Sequence, residues 1–195
     1  MARYVPMPVT LETVRQDIED RLSEAASNRR SPMHTPVVAT ADADARIMVL
    51  RNFDRDEWTL RFHTDIRSPK IEMLKDNPAI AVLFYDRDEK IQIRCRGHAR
   101  IENESPLAIS AWEASDTYAR RCYLGAPPGE ERDQPSSGLP DDVKGKRPTE
   151  DELAPARRNF AALVVRIESA DWYFLSNDGH RRAIFTIGKG SWVTP

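Results

Sequence analysis

The chain contains little cysteine and no long apolar run, and each absence narrows the class of protein. Its two cysteines, Cys95 and Cys122, do not lie in a CxxC pair, so we expect two free thiols in a reducing compartment. The longest apolar run, 79–85, is far too short to span a bilayer. The N-terminus lacks the basic and then apolar layout of a secretion signal. We therefore predict a cytoplasmic protein without a membrane segment.

The charge balance and the absence of familiar motifs argue against further classes of protein. A net charge of -2 and a pI near 6.1 give no general attraction to nucleic acid or anionic membranes. The chain has no GxGxxG after a predicted strand, no GxxxxGK(S/T), no HExxH and no GxSxG. The four histidines, at positions 34, 63, 98 and 180, do not cluster in the sequence, so we expect no metal site.

The length favours one domain, 1–195, which begins with a surface helix. Over about 10–27, apolar residues recur at three- and four-residue steps, and Thr10 stands where a capping residue is needed. The apolar positions are Leu11, Val14, Ile18, Leu22 and Ala25. Charged residues cover the other face, so one side of this helix is expected to pack on the rest of the domain.

Short strands separated by polar turns dominate the remainder of the chain. We predict strands at 35–40, 46–53, 58–63, 79–85, 91–101, 160–168, 171–175 and 182–187. The uniformly apolar segment 79–85 indicates burial on both faces, whereas 91–101 alternates between apolar and polar residues. Because these strands cluster instead of alternating with helices, the pattern predicts a mainly β, antiparallel barrel with flanking helices.

Two further helices and one long loop complete the predicted organisation. Ser68 and Pro69 mark the start of a helix over 69–76. A third helix is expected at 107–119. The segment 126–152 is rich in proline and charge and poor in large apolar residues, so we predict a mobile loop or lid there.

The junction between the third predicted strand and the 69–76 helix has the composition of an anion site. A helix N-terminus presents free N–H groups and a partial positive charge. Here it is accompanied by the hydroxyls of Thr64 and Ser68 and the ammonium of Lys70, which together suit a phosphate. Spacing alone leaves a simpler alternative, in which Ser68 merely caps the helix while Arg46 and Lys70 are solvated.

Two other groups have both a structural and a functional interpretation. Gln92 shares one strand face with Arg94, Arg96 and His98, and its amide could pair with the edge of a heterocycle; a solvated strand face is the alternative. The aromatic run 172–174 is typical of core packing. Because side chains alternate along a strand, however, Tyr173 faces the opposite way from Trp172.

Taken together, these segments resemble the pyridoxamine 5'-phosphate oxidase-like family of flavin mononucleotide (FMN)-binding split β-barrels. The resemblance covers roughly 35–125, with a weaker echo at 158–195. The segments that carry it are RIMVLRNFD (46–54), WTLRFHTDIRSPKIEMLKDNPAIAVLFY (58–85), IQIRCRGHARI (91–101) and ADWYFLSNDGHRRAIF (170–185). It implies a six- to eight-stranded antiparallel split barrel that binds FMN and works as a homodimer with flavin at the interface.

The resemblance also implies which positions hold the cofactor. The phosphate and ribityl chain would be contacted by Arg46, His63, Thr64, Ser68 and Lys70. The strand residues Ile47, Met48, Val49 and Leu50 would run along the ring, with Arg51 and Gln92 tuning it. The second subunit would supply Arg182 and an aromatic side chain, which is Tyr173 or, as the less favoured choice, Trp172.

Departures from the family pattern affect the expected substrate. Pro69 stands where many relatives carry an arginine. The residues that grip the substrate phosphate in vitamin B6 oxidases align with Ala114, Tyr118 and Cys122, and their Arg-x-His pair is not reproduced at 180–183. The leading hypothesis is therefore an FMN-dependent oxidoreductase acting on an unassigned small molecule, with the 126–152 loop closing over the flavin.

Four alternatives remain open at this point. The chain could oxidise pyridoxamine or pyridoxine 5'-phosphate, or it could be a non-catalytic flavin-binding or carrier module. The cofactor could be a deazaflavin instead of FMN. A barrel dimer without any ligand is the remaining alternative.

Overall fold

The computed structural model describes residues 10–186 and 188–195, and in that part of the chain it contains five α-helices and nine strands. The helices are α1 (Leu11–Ser27), α2 (Pro69–Asp76), α3 (Pro106–Glu113), α4 (Thr117–Arg120) and α5 (Glu150–Leu153). The strands are β1 (Val37–Thr40), β2 (Ala45–Ile47), β3 (Leu50–Asp54), β4 (Thr59–Asp65), β5 (Ala79–Asp86), β6 (Ile91–Glu102), β7 (Phe160–Phe174), β8 (Arg181–Thr186) and β9 (Lys189–Val193).

The chain divides into two compact units. Among the described residues, the first unit consists of 10–61, Ala79–His98, 165–186 and 188–195. The second unit consists of Phe62–Pro78 and Ala99–Val164. None of the helices in residues 10–186 and 188–195 combines the length and apolar character needed to cross a membrane.

The strand order explains why the sheet of the first unit curls. The order is β2-β1-β5-β6-β7-β4-β3, with β8 and β9 added beyond β7. Its two ends, β2 and β3, are consecutive in the chain and are separated only by Met48 and Val49. A sheet whose end strands are joined by so short a link must bend toward closure, as barrels do. The predicted class, mainly β and antiparallel with flanking helices, is confirmed.

Helix α1 packs on this sheet through the face that the sequence predicts. Its apolar residues Val14, Ile18 and Leu22 are fully buried. The helix begins with a capping box, in which the hydroxyls of Thr10 and Thr13 each accept a hydrogen bond from the other's backbone N–H. Its polar side also docks, because the Trp172 indole N–H donates to Asp17 at 2.8 Å.

The second unit has its own small aromatic core. The Phe160 ring receives Trp112 and Tyr123 in edge contacts, with centroid distances of 5.5 and 5.3 Å. Ala111, Leu153 and Ala156 complete the buried cluster. Such edge contacts add to simple area burial, so this core fixes α3 and α5 on β7.

The predicted loop at 126–152 ends earlier than expected. Residues 126–149 form turns and irregular structure, but Thr149 opens α5 with a capping box that includes Glu152. The last part of the loop is also held, because Arg121 Nη1 donates to the Lys146 carbonyl at 3.1 Å and Arg147 pairs with Asp116 at 2.6 Å. Mobility of the loop stays a prediction.

The predicted strand 46–53 is wrong as a single element, since it forms β2 and β3. The break follows from a change of hydrogen-bond partner: Met48 N donates to the Pro36 carbonyl at 3.1 Å, and Leu50 N donates to the His34 carbonyl at 2.9 Å. The prediction that 79–85 is buried on both faces is also wrong. Leu83 and Tyr85 are 37% and 46% exposed, because β5 alternates like an ordinary one-sided strand.

Three other element predictions need correction. The helix predicted at 107–119 is split into α3 and α4, because the Asp116 carboxylate accepts from Tyr118 N at 2.9 Å and starts a new helix. The strands predicted at 160–168 and 171–175 are the single strand β7. Residues 189–193 form β9, so the part of the chain that the structure describes has nine strands and not six to eight. The end of the strand predicted at 182–187 lies outside the described residues.

Both cysteines are free, as predicted. Cys95 lies in the core of the first unit, where burial raises the pKa of its thiol to about 12. A thiol that stays protonated is a poor nucleophile, so Cys95 serves packing.

Gly97 in β6 lies where the backbone of β7 comes very close. A Cβ atom at this position would lie 1.8 Å from the Arg166 carbonyl oxygen. No side-chain rotation relieves an overlap with a backbone atom, so any larger residue must push the two strands apart.

We therefore expect Gly97→Ala to lower the free energy of unfolding by about 2–4 kcal/mol. Urea denaturation measures this change. The matched control is Arg96→Ala at the exposed neighbouring position, which should stay within about 0.5 kcal/mol of the parent. Equal stability of the two variants would contradict the assigned strand contact.

Candidate functional site

The junction between β4 and α2, in the second unit, buries three polar residues together. Thr64, Asp65 and Ser68 are 5%, 8% and 5% exposed. Ser68 is the N-cap residue of α2, as predicted, but its side chain makes no capping hydrogen bond. The helix start is instead shaped by the backbone, with Ser68 N donating to the Asp65 carbonyl at 3.1 Å. Ser68 is therefore a buried residue at a helix N-terminus, and its hydroxyl does not cap that helix.

Two further residues of the junction lie close by in the chain. Lys70 is the second residue of α2 and is half-buried. The His63 ring meets Phe160 edge-on at 4.9 Å, and its Nδ1 lies 3.5 Å from the Ser115 hydroxyl. The N-terminal end of a helix and a lysine both favour negative charge. The junction is thus an electropositive, hydroxyl-bearing corner.

Arg46 belongs to the first unit and is held by its own hairpin. Its guanidinium donates to the Thr40 hydroxyl at 3.1 Å and pairs with the Asp44 carboxylate. The arginine is half-buried there and hydrogen-bonded within the protein. The alternative in which Arg46 is simply solvated therefore does not describe it. Its predicted phosphate contact stays a prediction.

The four residues predicted to run along a ring connect β2 with β3. Ile47 is 69% exposed, Met48 and Val49 are half-buried, and Leu50 is buried at the start of β3. Exposure thus falls from Ile47 to Leu50, so this link is an apolar segment that runs from the surface into the core of the first unit.

Two arginines on the neighbouring strands β3 and β4 have unused donors. The Nε atoms of Arg51 and Arg61 are buried and have no hydrogen-bond partner within residues 10–186 and 188–195. Burial also lowers the pKa of the Arg61 guanidinium. Sequence reasoning identified Arg51 but missed Arg61, because an arginine between the apolar Leu60 and Phe62 matches the ordinary alternation of a one-sided strand.

An open apolar face runs across β2, β1 and β5 of the first unit. Val37 of β1 is paired with both Ile47 and Leu83. Tyr85 lies two residues beyond Leu83 on the same side of β5 and is paired with Gln92 of β6. We call Ile47, Val37, Leu83 and Tyr85 the open face; the half-buried Gln92 borders it.

Arg182 and Tyr173 are cross-strand partners in the first unit. Arg182 donates to the Asp171 carboxylate through Nε at 3.0 Å and Nη2 at 2.8 Å, and Arg94 pairs with the same carboxylate. Tyr173 is half-buried, whereas Trp172 is fully buried against α1. Of the two aromatic candidates, Tyr173 is therefore the more accessible, and its predicted flavin contact stays a prediction.

A curled antiparallel sheet with flanking helices and this set of sites defines a split-barrel fold of the FMN-binding type. Residues 13–103 match the family model described as "Pyridoxamine 5'-phosphate oxidase, FMN-binding domain". The family resemblance predicted from the sequence is confirmed.

The curated relatives share the name of one enzyme activity. A pyridoxine/pyridoxamine 5'-phosphate oxidase of Caulobacter vibrioides is 28% identical over 187 residues, covering 89% of this chain and 79% of that protein. A protein of the same name from Maricaulis maris is 32% identical over 106 residues, covering 52% of this chain. The match spans only 44% of the Maricaulis protein.

Solved structures share the fold. A pyridoxamine 5'-phosphate oxidase-related, FMN-binding protein from Nostoc punctiforme has a TM-score of 0.69 and 20% identity, covering 93% of this chain and 96% of that chain. PhzG from Burkholderia lata, in complex with tetrahydrophenazine-1-carboxylic acid, has a TM-score of 0.64 and 15% identity, covering 100% and 99%. At these identities the likeness concerns the fold alone.

The Asp171 bridge makes the stability of the first unit depend on pH. Burial opposes ionisation of Asp171, but hydrogen bonds from Arg182 and Arg94 outweigh it and hold the pKa of the carboxyl below its ordinary value. A carboxyl with a lowered pKa stabilises the fold above its unfolded pKa, and that stabilisation is lost as the pH falls through the folded pKa.

We expect Asp171→Asn to destabilise the protein at pH 7 by about 1–2 kcal/mol, a value reduced from that of a buried pair because both arginines are partly exposed. The difference from the parent should shrink as the pH falls below the ordinary aspartate pKa of about 4, because the unfolded parent then gains a proton that the folded carboxyl, with its lowered pKa, gains only at lower pH. Urea denaturation across pH measures both. A difference that is constant with pH would contradict the charged bridge.

Proposed function

We propose that the chain binds FMN and works as a flavin-dependent oxidoreductase on a small-molecule substrate, as a homodimer. The observation that carries the proposal is the buried residue Ser68 at the start of α2, whose hydroxyl makes no capping bond. It lies within the segment that matches the FMN-binding family model.

The phosphate of FMN fits the β4–α2 junction on chemical grounds. A phosphate needs several donors and a positive field. Ser68 and Thr64 can donate from hydroxyls, Lys70 can supply a charge, and the first turn of α2 adds its dipole. Loss of the family arginine at Pro69 leaves these groups, with Arg46 as the further predicted contact.

The flavin ring is proposed to lie along the 47–50 link. The apolar gradient from Ile47 to Leu50 suits a flat aromatic surface. The unused Nε of Arg51 and the amide of Gln92 supply donors for the polar ring edge. FMN, when bound, supplies an electron-accepting ring, and these side chains would bind it, orient it and adjust its electron affinity.

A second copy of the chain is the proposed cover of the open face. The exposed side chains of Ile47, Leu83 and Tyr85, with the half-buried Val37 between their strands, are unfavourable in water. Pairing two such faces would remove them from solvent. It would also let Tyr173 and Arg182 reach a flavin on the other subunit, as the resemblance implies.

Oxidation of pyridoxine or pyridoxamine 5'-phosphate is the second candidate, because the curated relatives carry that name. Against it stand Ala114, Tyr118 and Cys122, where the oxidases grip the substrate phosphate. Tyr118 is 47% exposed and lies 4.0 Å under the Arg121 guanidinium. Turnover assays with the two vitamin B6 phosphates and with NAD(P)H decide between these activities; tight binding without turnover would indicate a carrier.

Lys70→Ala tests the phosphate position. Removing a charged donor to phosphate should weaken FMN binding by about 1–3 kcal/mol. Quenching of flavin fluorescence during titration measures the affinity. Lys75→Ala is the matched control, because Lys75 lies on the same helix but pairs with Glu72 at the surface. Loss of affinity in the control alone, or in neither variant, would show that the phosphate lies elsewhere; a parent protein that binds no FMN would end the proposal.

Leu83→Glu tests the homodimer. A carboxylate in a paired apolar face would be buried without a partner, so we expect the dimer to dissociate into monomers. Sedimentation velocity measures the mass. Ile109→Glu, at a position 44% exposed on α3, is the control and should leave the mass unchanged. A monomeric parent, or a dimer that tolerates Leu83→Glu, would contradict the assigned interface.

A further inference from the structure

Arg67 lies inside the β4–α2 turn, where it is bound on two sides. Its Nε and Nη2 donate to the two Asp65 carboxylate oxygens at 2.9 and 2.7 Å. Nη2 also donates to the Gly125 carbonyl at 3.0 Å. The Asp65 carboxylate accepts a further bond from Arg67 N at 2.8 Å. The hydrogen bond to Asp65 raises the pKa of Arg67, so the guanidinium stays charged.

These bonds connect the turn to the start of the long loop. Gly125 is the residue directly before the loop, and Ala126 N donates to the Gly138 carbonyl at 3.0 Å, which closes 126–138 into a compact lobe. A Cβ at Gly129 would lie 3.5 Å from the Pro69 ring, so the lobe lies beside the first residue of α2. The lobe therefore borders the helix end at which the phosphate is proposed to bind.

The turn has one other attachment within the second unit. Ile66 N donates to the Asn159 carbonyl at 2.8 Å, and the Asn159 amide donates to the Tyr123 carbonyl at 2.9 Å. This fixes the middle of the turn on the aromatic core. The side of the turn that faces the 126–138 lobe is held by the bonds of Arg67 to Asp65 and Gly125.

The negative charge of the Asp65 carboxylate is neutralised by the Arg67 guanidinium. A buried carboxylate next to Thr64 would repel a phosphate at that corner. The two-pronged contact from Arg67 neutralises it and fixes its orientation. The Nε and Nη2 donors of Arg67 already serve Asp65 and Gly125, so we assign this side chain to positioning the turn.

We infer that Asp65 and Arg67 form a clamp that positions the phosphate-binding turn and ties it to the 126–138 lobe. Arg67 is thus a positioning residue that acts through Thr64 and Ser68. The inference rests on the proposed FMN function and extends it to two residues and a loop segment outside the predicted cofactor contacts.

Arg67→Lys tests the clamp, because lysine keeps the charge but cannot form the fork to Asp65 and reach Gly125 at once. The probes are FMN and riboflavin, which differ only in the phosphate. We expect Arg67→Lys to weaken FMN binding about tenfold or more while riboflavin affinity stays within about twofold of the parent. Arg147→Lys is the control, since Arg147 pairs with Asp116 on the surface of the same unit; it should change neither affinity.

Two results would overturn the clamp. One is an FMN affinity of Arg67→Lys within about twofold of the parent, against the loss expected from a broken charge-assisted fork. The other is an equal loss for FMN and riboflavin, which indicates general destabilisation.

Hydrogen exchange without ligand separates failure of the clamp from failure of the proposed function. In Arg67→Lys we expect faster exchange in 64–70 and 125–138 together, and unchanged exchange in α1. Exchange that stays at the parent rate would refute the clamp whether or not FMN binds. A parent protein that binds neither flavin, with exchange changed as expected, would refute the proposed function and leave the clamp in place.

Discussion

The bond between the Asp65 carboxylate and the Arg67 guanidinium is the interaction on which the proposed site depends. It shapes the turn between β4 and α2, and that turn presents Thr64 and Ser68 beside a helix N-terminus. A carboxylate buried so deeply is unfavourable unless it is paired. The pairing lets an acidic residue occupy the corner without cancelling the positive field of Lys70 and the helix.

The curled sheet imposes the second constraint. Because β2 and β3 are joined by two residues yet stand at opposite ends of the strand order, the chain between them must cross the gap of the sheet. The crossing link is also the apolar segment at which the flavin ring is proposed to lie. Strands β1 and β5 are buried on one side only, which leaves the open face next to this link. The closure of the sheet is thus accompanied by an apolar surface that is proposed to pair with a second copy of the chain.

Sequence reasoning predicted what is local and periodic. The apolar period of α1, the Ser-Pro start of α2 and the alternation of β6 are all signals within a few residues, and the structure has each of them. It failed where the decisive partner is distant. The break at Met48 depends on the Pro36 carbonyl, Arg67 bonds to Gly125 58 residues away, and Arg94 bonds to Asp171 77 residues away. No local pattern encodes such pairs.

The central claim is that the β4–α2 turn holds the phosphate of FMN. A crystal structure of the protein grown with saturating FMN tests it most directly. The account predicts the phosphate within hydrogen-bond distance of the Thr64 and Ser68 hydroxyls and the Lys70 ammonium. A phosphate bound at another place, or crystals without flavin, would contradict it.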